Sequence, residues 1–428
     1  MTERWRRPAV QLAAEWVIVV LAAPFLLLPS LRLQVTVIML GVLCLFWLLS
    51  LASGNPWPVT PFNGPLCLFT VMLAVGILVT SQPDLTLAKA LGLVLGLALF
   101  RALAQLRGKV GMSVALAGLL LAGMGVWALG LMDLHWPTKV PIVQVLLDRL
   151  PQRVAQLPGS PAGGVSPNQL AGTLALLLPV AIVVIAGGGV LGKRQRMLRC
   201  LAVVAVVLWA VTLFLTQSRG GWVGAAAGTV VLFALWGVTG RRRWQRVSGW
   251  MLPVVLASLT VAVIGVLGVN QVGELLYGAA EGSVQTAVGS ISLQGRVEVW
   301  SRALSALRDF PFTGLGLGSF RRAAATLYPF FLLGSVQDIS HSHNVFLQVG
   351  VDVGLPGLVG YLGLLATAVA VGWGKVRRGG WERLVGLGVL SSLLGYHVFG
   401  LADTVALGSK PSFLFWWVLG LLAVEPDP

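Results

Sequence analysis

Charged side chains are scarce in this sequence. Only 11% of its 428 residues are Asp, Glu, Lys or Arg, whereas a soluble domain carries about 25%. A chain with so few charges cannot present a charged, water-facing surface, which argues against a soluble globular protein. The 57% hydrophobic content and the mean hydropathy of +0.87 indicate a protein that is surrounded by lipid.

Cysteine is also rare, with Cys44, Cys67 and Cys200 the three in the chain. Each lies in or beside an apolar run, and their spacing matches neither a metal site nor a disulfide framework. We expect these side chains to pack as small apolar groups.

What the sequence has in abundance is long apolar segments. A helix needs about 20 mostly apolar residues to cross a bilayer, and twelve segments approach this length. They are 14–30, 33–52, 64–81, 86–101, 111–131, 169–188, 199–216, 221–238, 250–270, 343–372, 383–401 and 411–424. The prediction is an all-α, polytopic membrane bundle of about twelve transmembrane helices, forming one membrane domain over residues 1–428. The basic, apolar N-terminus is interpreted as a retained first helix rather than a cleaved signal.

The net charge of +15 comes from basic residues in clusters. These are Arg4, Arg6 and Arg7; Arg101, Arg107 and Lys109; Lys193, Arg194, Arg196 and Arg199; Arg241, Arg242, Arg243 and Arg246; and Lys375, Arg377, Arg378 and Arg383. With twelve spans and a cytoplasmic N-terminus, every cluster falls on the cytoplasmic side, as the positive-inside rule requires. Topology and anionic-lipid contact therefore explain the basicity better than nucleic-acid binding, and both termini are predicted to be cytoplasmic.

Two connections on the predicted outer side are long. Residues 132–168 begin with helical spacing of apolar residues, which predicts a helix in the membrane interface, and continue as a Pro/Gly loop. Residues 271–342, between the ninth and tenth spans, contain a helical segment with Val297, Trp300, Leu304 and Leu307 on one face. Long connections of this kind are usually functional or disordered, and the apolar content of this one favours order against the bundle.

Few polar groups in these outer regions are able to carry chemistry. Arg219, in "SRGGW", lies near the hydrocarbon boundary, where Gly220 and Gly221 allow a turn that binds an anion; snorkelling to head groups is the alternative. Arg296 lies at the start of the helical segment of the large loop. The alternative to a ligand-binding role is that Arg296 is an ordinary surface arginine. Arg302, Arg308, Arg321 and Arg322 continue a basic outer region against the positive-inside trend, which suggests an anionic ligand there.

"HSHN" immediately precedes the tenth span. Histidine titrates near neutrality, so His343 suits general-base work on a hydroxyl, with His341 and Asn344 beside it. A structural role is the alternative for an interfacial histidine. A metal site is disfavoured because Asp338 is the one carboxylate at a suitable distance in the sequence from the two histidines. The glycines of "GLGLGS" follow no predicted strand, so a flexible or closely packed turn is favoured over a nucleotide loop.

With "SRGGW", "GRVEVWSRALSALRDFPFTGLGLGSF" and "HSHNVFLQVGVDVGLPGLVGYL" in this order, the chain resembles the O-antigen ligase and O-antigen polymerase superfamily. The similarity is strongest over 165–230 and 290–400. "SPNQLAGTLALLLPVA", containing Asn168, also looks like a helix of that superfamily.

The resemblance implies transfer of a glycan from an undecaprenyl-diphosphate carrier to an acceptor hydroxyl at the outer leaflet, without metal, nucleotide or other cofactor. Arg219 and Arg296 are then expected to bind the diphosphate and His343 to act as the base. Asn344 is expected to orient His343, while His341, Arg153 and Asn168 are supporting candidates. The implied location is the bacterial cytoplasmic (inner) membrane, with an extracytoplasmic active site. The acceptor stays open between glycolipid, glycan and protein.

Two other functions remain as alternatives. Some members of the superfamily carry bicarbonate-transport labels, so a small-anion transporter is one. Such a protein needs polar residues near mid-membrane and often paired broken helices, whereas here Glu15 and Asp352 are the main ionisable residues within the spans. A non-catalytic scaffold for envelope assembly is the other.

Overall fold

The computed structural model describes residues 3–54, 57–137, 147–151, 153–157, 164–187, 196–240, 243–267, 293–333 and 339–426. Over these ranges the chain folds into α-helices and contains no β-strand. We number them α1 (Glu3–Leu27), α2 (Leu33–Ala52), α3 (Asn63–Leu78), α4 (Pro83–Ala104), α5 (Gly108–Met132), α6 (Pro167–Ala186), α7 (Arg196–Leu215), α8 (Arg219–Val238), α9 (Arg243–Leu267), α10 (Leu293–Asp309), α11 (Phe320–Leu327), α12 (Val345–Arg378), α13 (Gly380–Gly400) and α14 (Phe413–Gly420).

The expected all-helical membrane class is confirmed. Among the described residues, nine helices are long and apolar enough to cross a membrane: α1, α2, α4 to α8, α12 and α13. The other three predicted spans coincide with the 16-residue α3, with α9, and with a short 3₁₀ helix that leads into α14. The count of twelve therefore stays a prediction. Residues 138–146, where most of the predicted interfacial helix falls, and residues 268–292 of the large loop lie outside the described ranges.

The centre of the bundle is formed by α13, which packs against α6, α8 and α12. Small residues let the backbones approach closely, as is common between membrane helices. A Cβ atom at Gly224 of α8 would lie 2.7 Å from the carbonyl oxygen of Gly395 in α13, so only glycine fits there. This close packing fixes the first residue of α8 beside the last residues of α13.

The tenth predicted span is a broken helix. Within α12, Gly354 has φ +73°, and Pro356 follows two residues later. The freed backbone groups bind the "GLGLGS" connection, since Leu315 donates its N–H to Val351 O at 2.8 Å and Leu355 donates to Pro311 O at 2.7 Å. The glycines of this connection have positive φ, so they form a closely packed turn that bridges α3 and α12.

The last predicted span is a buried strap. Residues 413–424 are buried throughout, although α14 itself has only eight residues. A Cβ atom at Gly96 of α4 would clash with the ring of Trp416, and Trp417 donates its indole N–H to Ala115 O at 3.0 Å. This strap packs in the interior of the bundle against α4 and α5 and is not exposed on the outer surface of the bundle.

The apolar pattern of α10 is divided in the fold. Burial is centred on Val299, Ala303 and Ala306. Val297 and Leu304, which share a face with Trp300 and Leu307 in the sequence pattern, stay exposed by 53% and 46%. The helix therefore carries a buried face and an adjoining exposed face on which Val297 and Leu304 lie beside the polar Ser301 and Arg308.

A buried ion pair fastens α1 to α4. The Arg101 guanidinium pairs with Glu15 and also donates to Ser50 Oγ at 3.2 Å, while Gln105 donates to the second Glu15 oxygen at 2.6 Å. Arg101→Met should lower the free energy of unfolding by about 3–5 kcal/mol, because it leaves a carboxylate buried without its cation. Thermal unfolding in detergent measures the change.

The matched control is the double variant Glu15→Leu/Arg101→Met, which removes both charges. We expect it to be closer to the native protein in stability than Arg101→Met alone, because no uncompensated charge remains. Equal destabilisation by the single and double variants would show that the pair itself is not the source of the effect.

Candidate functional site

One end of the bundle collects the polar residues that the sequence singles out. The first residues of α6, α8 and α12 meet the last residues of α13 there, because α13 runs antiparallel to its neighbours. The turn after α13 carries Asp403, and the turn before α12 carries His341 and His343. Packing of apolar helices thus brings short polar segments from four parts of the chain together.

His343 and Asp403 form the centre of this site. Nδ1 of His343 lies 3.2 Å from Oδ1 of Asp403, and both side chains are largely buried. Since a carboxylate only accepts hydrogen bonds, this contact favours the tautomer with the proton on Nδ1 whenever the ring is neutral, and in that form the Nε2 lone pair is able to accept a proton. His343 also has φ +50°, a left-handed conformation that costs a non-glycine residue energy and is concentrated at functional sites. The Asp403 carboxylate therefore fixes the orientation of the His343 ring.

The Asp403 carboxylate accepts hydrogen bonds from several parts of the chain. Asn168 at the start of α6 donates to Oδ2 at 2.8 Å, and the backbone N–H of Thr404 donates to Oδ1 at 2.8 Å. Burial acts to raise the pKa of Asp403, but the charge and hydrogen bond of His343 and the charge of Arg296 outweigh it and hold that pKa well below its usual range. Asp403 is therefore a fixed negative charge beside the imidazole.

His341 completes the cluster as a neutral ring. Its Nε2 lies 3.8 Å from Oδ1 of Asp403, and its ring stands edge-on to that of His343, with centroids 4.3 Å apart. Burial, reinforced by the charge of His343, lowers the pKa of His341 from 6.5 to about 3. His341 also accepts the backbone N–H of His343 on Nδ1 at 3.4 Å, so it stabilises the turn that carries His343.

Arg296 approaches this cluster from α10. Trp300, one helical turn further on, donates its indole N–H to His343 O at 3.4 Å, which places the start of α10 on the histidine turn. The positive charge of Arg296 acts on Asp403. Its Nε atom is buried and has no hydrogen-bond partner in the described part of the chain, which leaves a donor available to a bound anion.

Arg219 is the first residue of α8, at the same end. Ser218 caps the helix by accepting the Gly221 N–H at 3.2 Å, while the N–H groups of Arg219 and Gly220 point out of the helix end, where the helix dipole favours an anion. Gln217 beside it has φ +49° and donates to Pro137 O at 2.6 Å. Within the described residues, no hydrogen bond or ion pair joins the Arg219 guanidinium to another group.

Two supporting candidates have other contacts. Asn344 caps α12 by accepting the N–H groups of Phe346 and Leu347, and it donates to Leu401 O at 3.2 Å; Asp403, not Asn344, contacts the His343 ring. Arg153 donates through Nε to the buried Asp133 at 2.6 Å, so its charge is already compensated.

Asp403 was not among the candidates that the sequence singled out, because it lies sixty positions after its partner and shares no local motif with it. The sequence contained one signal for this pairing. His343 lies at the start of the tenth predicted span, and Asp403 lies just after the eleventh. Because consecutive spans run antiparallel, these two positions lie on the same side of the membrane.

His341, His343 and Asp403 are also able to coordinate a metal. Their ligand atoms all lie within 4.8 Å of one another, and two imidazoles with a carboxylate suit zinc. Asp338, the one carboxylate that the sequence offered near the two histidines, lies outside the described residues. In the fold, Asp403 is the carboxylate that lies beside them. The nearby charge of Arg296 opposes a cation at this carboxylate, so we keep metal independence as a prediction.

The buried His341 should make stability depend on pH. His341 stays neutral in the folded protein but binds a proton near pH 6.5 when unfolded, so the free energy of unfolding should fall as the pH drops from about 6.5 towards 3. His341→Asn removes this contribution, and its thermal midpoint should decline less steeply across that window. Above pH 6.5 the two profiles should run parallel, which serves as the internal control. If the two profiles also run parallel between pH 6.5 and 3, a buried neutral His341 ring is ruled out.

Part of the chain matches a known protein family. Residues 203–362 match the family described as O-antigen ligase. The matched stretch contains Arg219, Arg296 and His343, while Asp403 lies beyond it. The resemblance inferred from the motifs is confirmed.

Two curated relatives extend the comparison. The chain is 25% identical over 238 residues to the exopolysaccharide production protein ExoQ of Rhizobium meliloti, covering 49% of this chain and 53% of that protein. It is 22% identical over 192 residues to an uncharacterised protein of Haemophilus influenzae, covering 41% and 44%. The chain spans about half the length of the curated relatives it matches.

Proposed function

We propose that this protein, whose residues 203–362 match the O-antigen ligase family, transfers a glycan from an undecaprenyl-diphosphate carrier to an acceptor hydroxyl. The observation that carries the proposal is the His343–Asp403 pair, with the charge of Arg296 acting on the same carboxylate. A base and a cation at one end of an apolar bundle suit a substrate that has a hydroxyl, a diphosphate and a lipid tail.

In the proposed reaction, Nε2 of His343 accepts the proton of the acceptor hydroxyl. The acceptor oxygen forms a bond to the anomeric carbon, and the bond between that carbon and the phosphate oxygen breaks. The lipid diphosphate leaves with the electron pair, and Asp403 stabilises the imidazolium that results. A positioned base contributes about 10²–10⁴-fold to such a transfer. Attack opposite the leaving group inverts the anomeric carbon.

The two arginines are assigned to the diphosphate. Its negative charge grows as the glycosyl bond breaks, and fixed donors that face this charge lower the barrier without a metal ion. The unpartnered Nε of Arg296 and the helix end that carries Arg219 supply donors of this kind. A guanidinium fork suits phosphate oxygens better than a single ammonium does.

The membrane placement follows from the substrate. A polyprenyl tail stays in lipid while its diphosphate lies at head-group level, so the site is proposed to open at one leaflet of the bacterial inner membrane. The clusters of basic residues argue that this leaflet is the outer one, with both termini cytoplasmic. The acceptor, whether glycolipid, glycan or protein, is not assigned.

Anion transport is the less favoured function. Both carboxylates within the spans are engaged, since Glu15 pairs with Arg101 and Asp352 lies 3.5 Å from Lys89 while accepting the Gly318 N–H at 2.9 Å. These groups hold helices together and are therefore poorly suited to line a transport path.

The test uses purified full-length protein with a diphosphate-linked glycan donor and candidate acceptors. We expect release of the lipid diphosphate together with a new glycosidic bond, unchanged by a chelator. Arg308→Ala, an exposed arginine on the same helix as Arg296, should leave turnover unchanged and controls for loss of surface charge. Bicarbonate flux in liposomes without donor turnover would overturn the proposal in favour of transport.

A further inference from the structure

An unusual amount of apolar surface is exposed around α10, the helix that carries Arg296. Phe312 is 73% exposed and Phe331 is 78% exposed. We give the name apolar ridge to these two residues together with the other exposed apolar side chains of α10 and of the turns beside it. Its members are Val297, Leu304, Phe310, Phe312, Phe331 and Leu332.

The ridge is held in place by polar contacts behind it. The Glu298 carboxylate accepts the backbone N–H groups of Phe331, Leu332 and Leu333 at 2.5 to 3.1 Å. The guanidinium of Arg302 lies 5.2 Å from the centroid of the Phe331 ring. A buried carboxylate that fixes three successive N–H groups makes this a defined turn, so the exposure of Phe331 is part of the fold.

The other end of the ridge continues a lipid-facing surface. Leu355 donates its N–H to Pro311 O at 2.7 Å, which fixes the turn between Phe310 and Phe312 against the break in α12. Beyond the break, Leu355, Val359 and Leu362 of this membrane-crossing helix are exposed by 43%, 60% and 45%. Exposed apolar side chains on such a helix face acyl chains, and the turn at Pro311 extends that surface towards α10.

Large contiguous apolar patches are rare on water-facing surfaces and mark contact with lipid or another protein. α10 combines a buried face with an exposed face on which Val297 and Leu304 lie beside Ser301 and Arg308, and a face of mixed polarity suits a helix in the membrane interface, where acyl chains meet polar head groups. The continuity with the α12 surface favours lipid over protein as the partner.

We propose that the apolar ridge inserts into the acyl-chain region of the leaflet at which the site opens, and that it holds α10 in the interface. Insertion fixes Arg296, in the first turns of α10, at head-group depth. A lipid-linked diphosphate lies at that depth too. The role in donor binding rests on the proposed function, whereas insertion itself does not.

Insertion is tested by spin labelling of the full chain in lipid nanodiscs without donor. The background replaces Cys44, Cys67 and Cys200 with alanine. Labels are attached at Phe312→Cys and Phe331→Cys, with Thr326→Cys on α11, an exposed polar position, as the matched control. Each label is probed for collision with oxygen, which concentrates in lipid, and with a water-soluble nickel complex.

We expect the ridge labels to collide more with oxygen than with nickel, and the Thr326 label to show the reverse. Frequent nickel collisions at Phe312 and Phe331 would overturn the proposal in favour of a water-facing loop. Low collision rates with both would overturn it in favour of a protein partner, including a second copy of this chain.

The consequence for catalysis is measured separately. Phe312→Glu should raise the KM for the lipid-linked donor several-fold and leave kcat unchanged, while Phe312→Leu should restore the native KM. An unchanged KM for Phe312→Glu would show that the ridge plays no part in donor binding. Failure of wild-type turnover would reject the proposed function, and the collision measurement would still decide insertion.

Discussion

Replacing His343 with alanine is expected to reduce glycan transfer about 10²–10⁴-fold, the contribution of a positioned general base. The loss should fall on kcat, because the ring acts on the acceptor proton and leaves donor binding to the arginines. Steady-state rates with saturating donor measure it. A variant that keeps more than a tenth of native activity would show that another group takes the proton.

Asp403→Asn provides the companion measurement. The amide presents no charge to the imidazolium and allows the wrong tautomer, so this variant should also lose activity. Because the two residues act as a unit, His343→Ala/Asp403→Asn should be no slower than His343→Ala alone. Fully additive losses would argue that Asp403 works independently of the ring. Thermal midpoints of all three variants separate this effect from unfolding.

Removing either diphosphate arginine is expected to cost about 10²–10³-fold in kcat, as for a single donor that stabilises developing charge. Arg296→Ala removes the Nε–H that has no partner in the described part of the protein, and Arg219→Ala removes the cation at the start of α8. Arg→Lys at either position should recover part of the rate, since an ammonium keeps the charge without the fork.

Arg308→Ala is the matched control for these variants, since it removes an exposed cation from the same helix as Arg296. A purely electrostatic surface effect would lower the rate of Arg308→Ala as well, and it would disappear at high salt. Native kcat in both Arg219→Ala and Arg296→Ala would reject their assignment to the leaving group.

Much of the molecule is determined locally by its sequence. Apolar runs of about 20 residues dictate helices in lipid, whatever their neighbours are, because unpaired backbone groups are too costly there. The motifs around Arg219, Arg296 and His343 are contiguous, so they were recognisable without coordinates. The glycines of "GLGLGS" likewise predicted a turn, since glycine adopts positive φ without a steric penalty.

The tertiary structure decided which distant groups meet. Asp403 pairs with His343 across sixty residues, Glu15 finds Arg101 on another helix, and the apolar pattern of α10 divides into a buried and an exposed face. Hydropathy records whether a residue prefers lipid or water, but it carries no information about which helices become neighbours. That choice depends on close packing, such as the contact of Gly224 with Gly395, and for this reason the partner of the base emerged only from the fold.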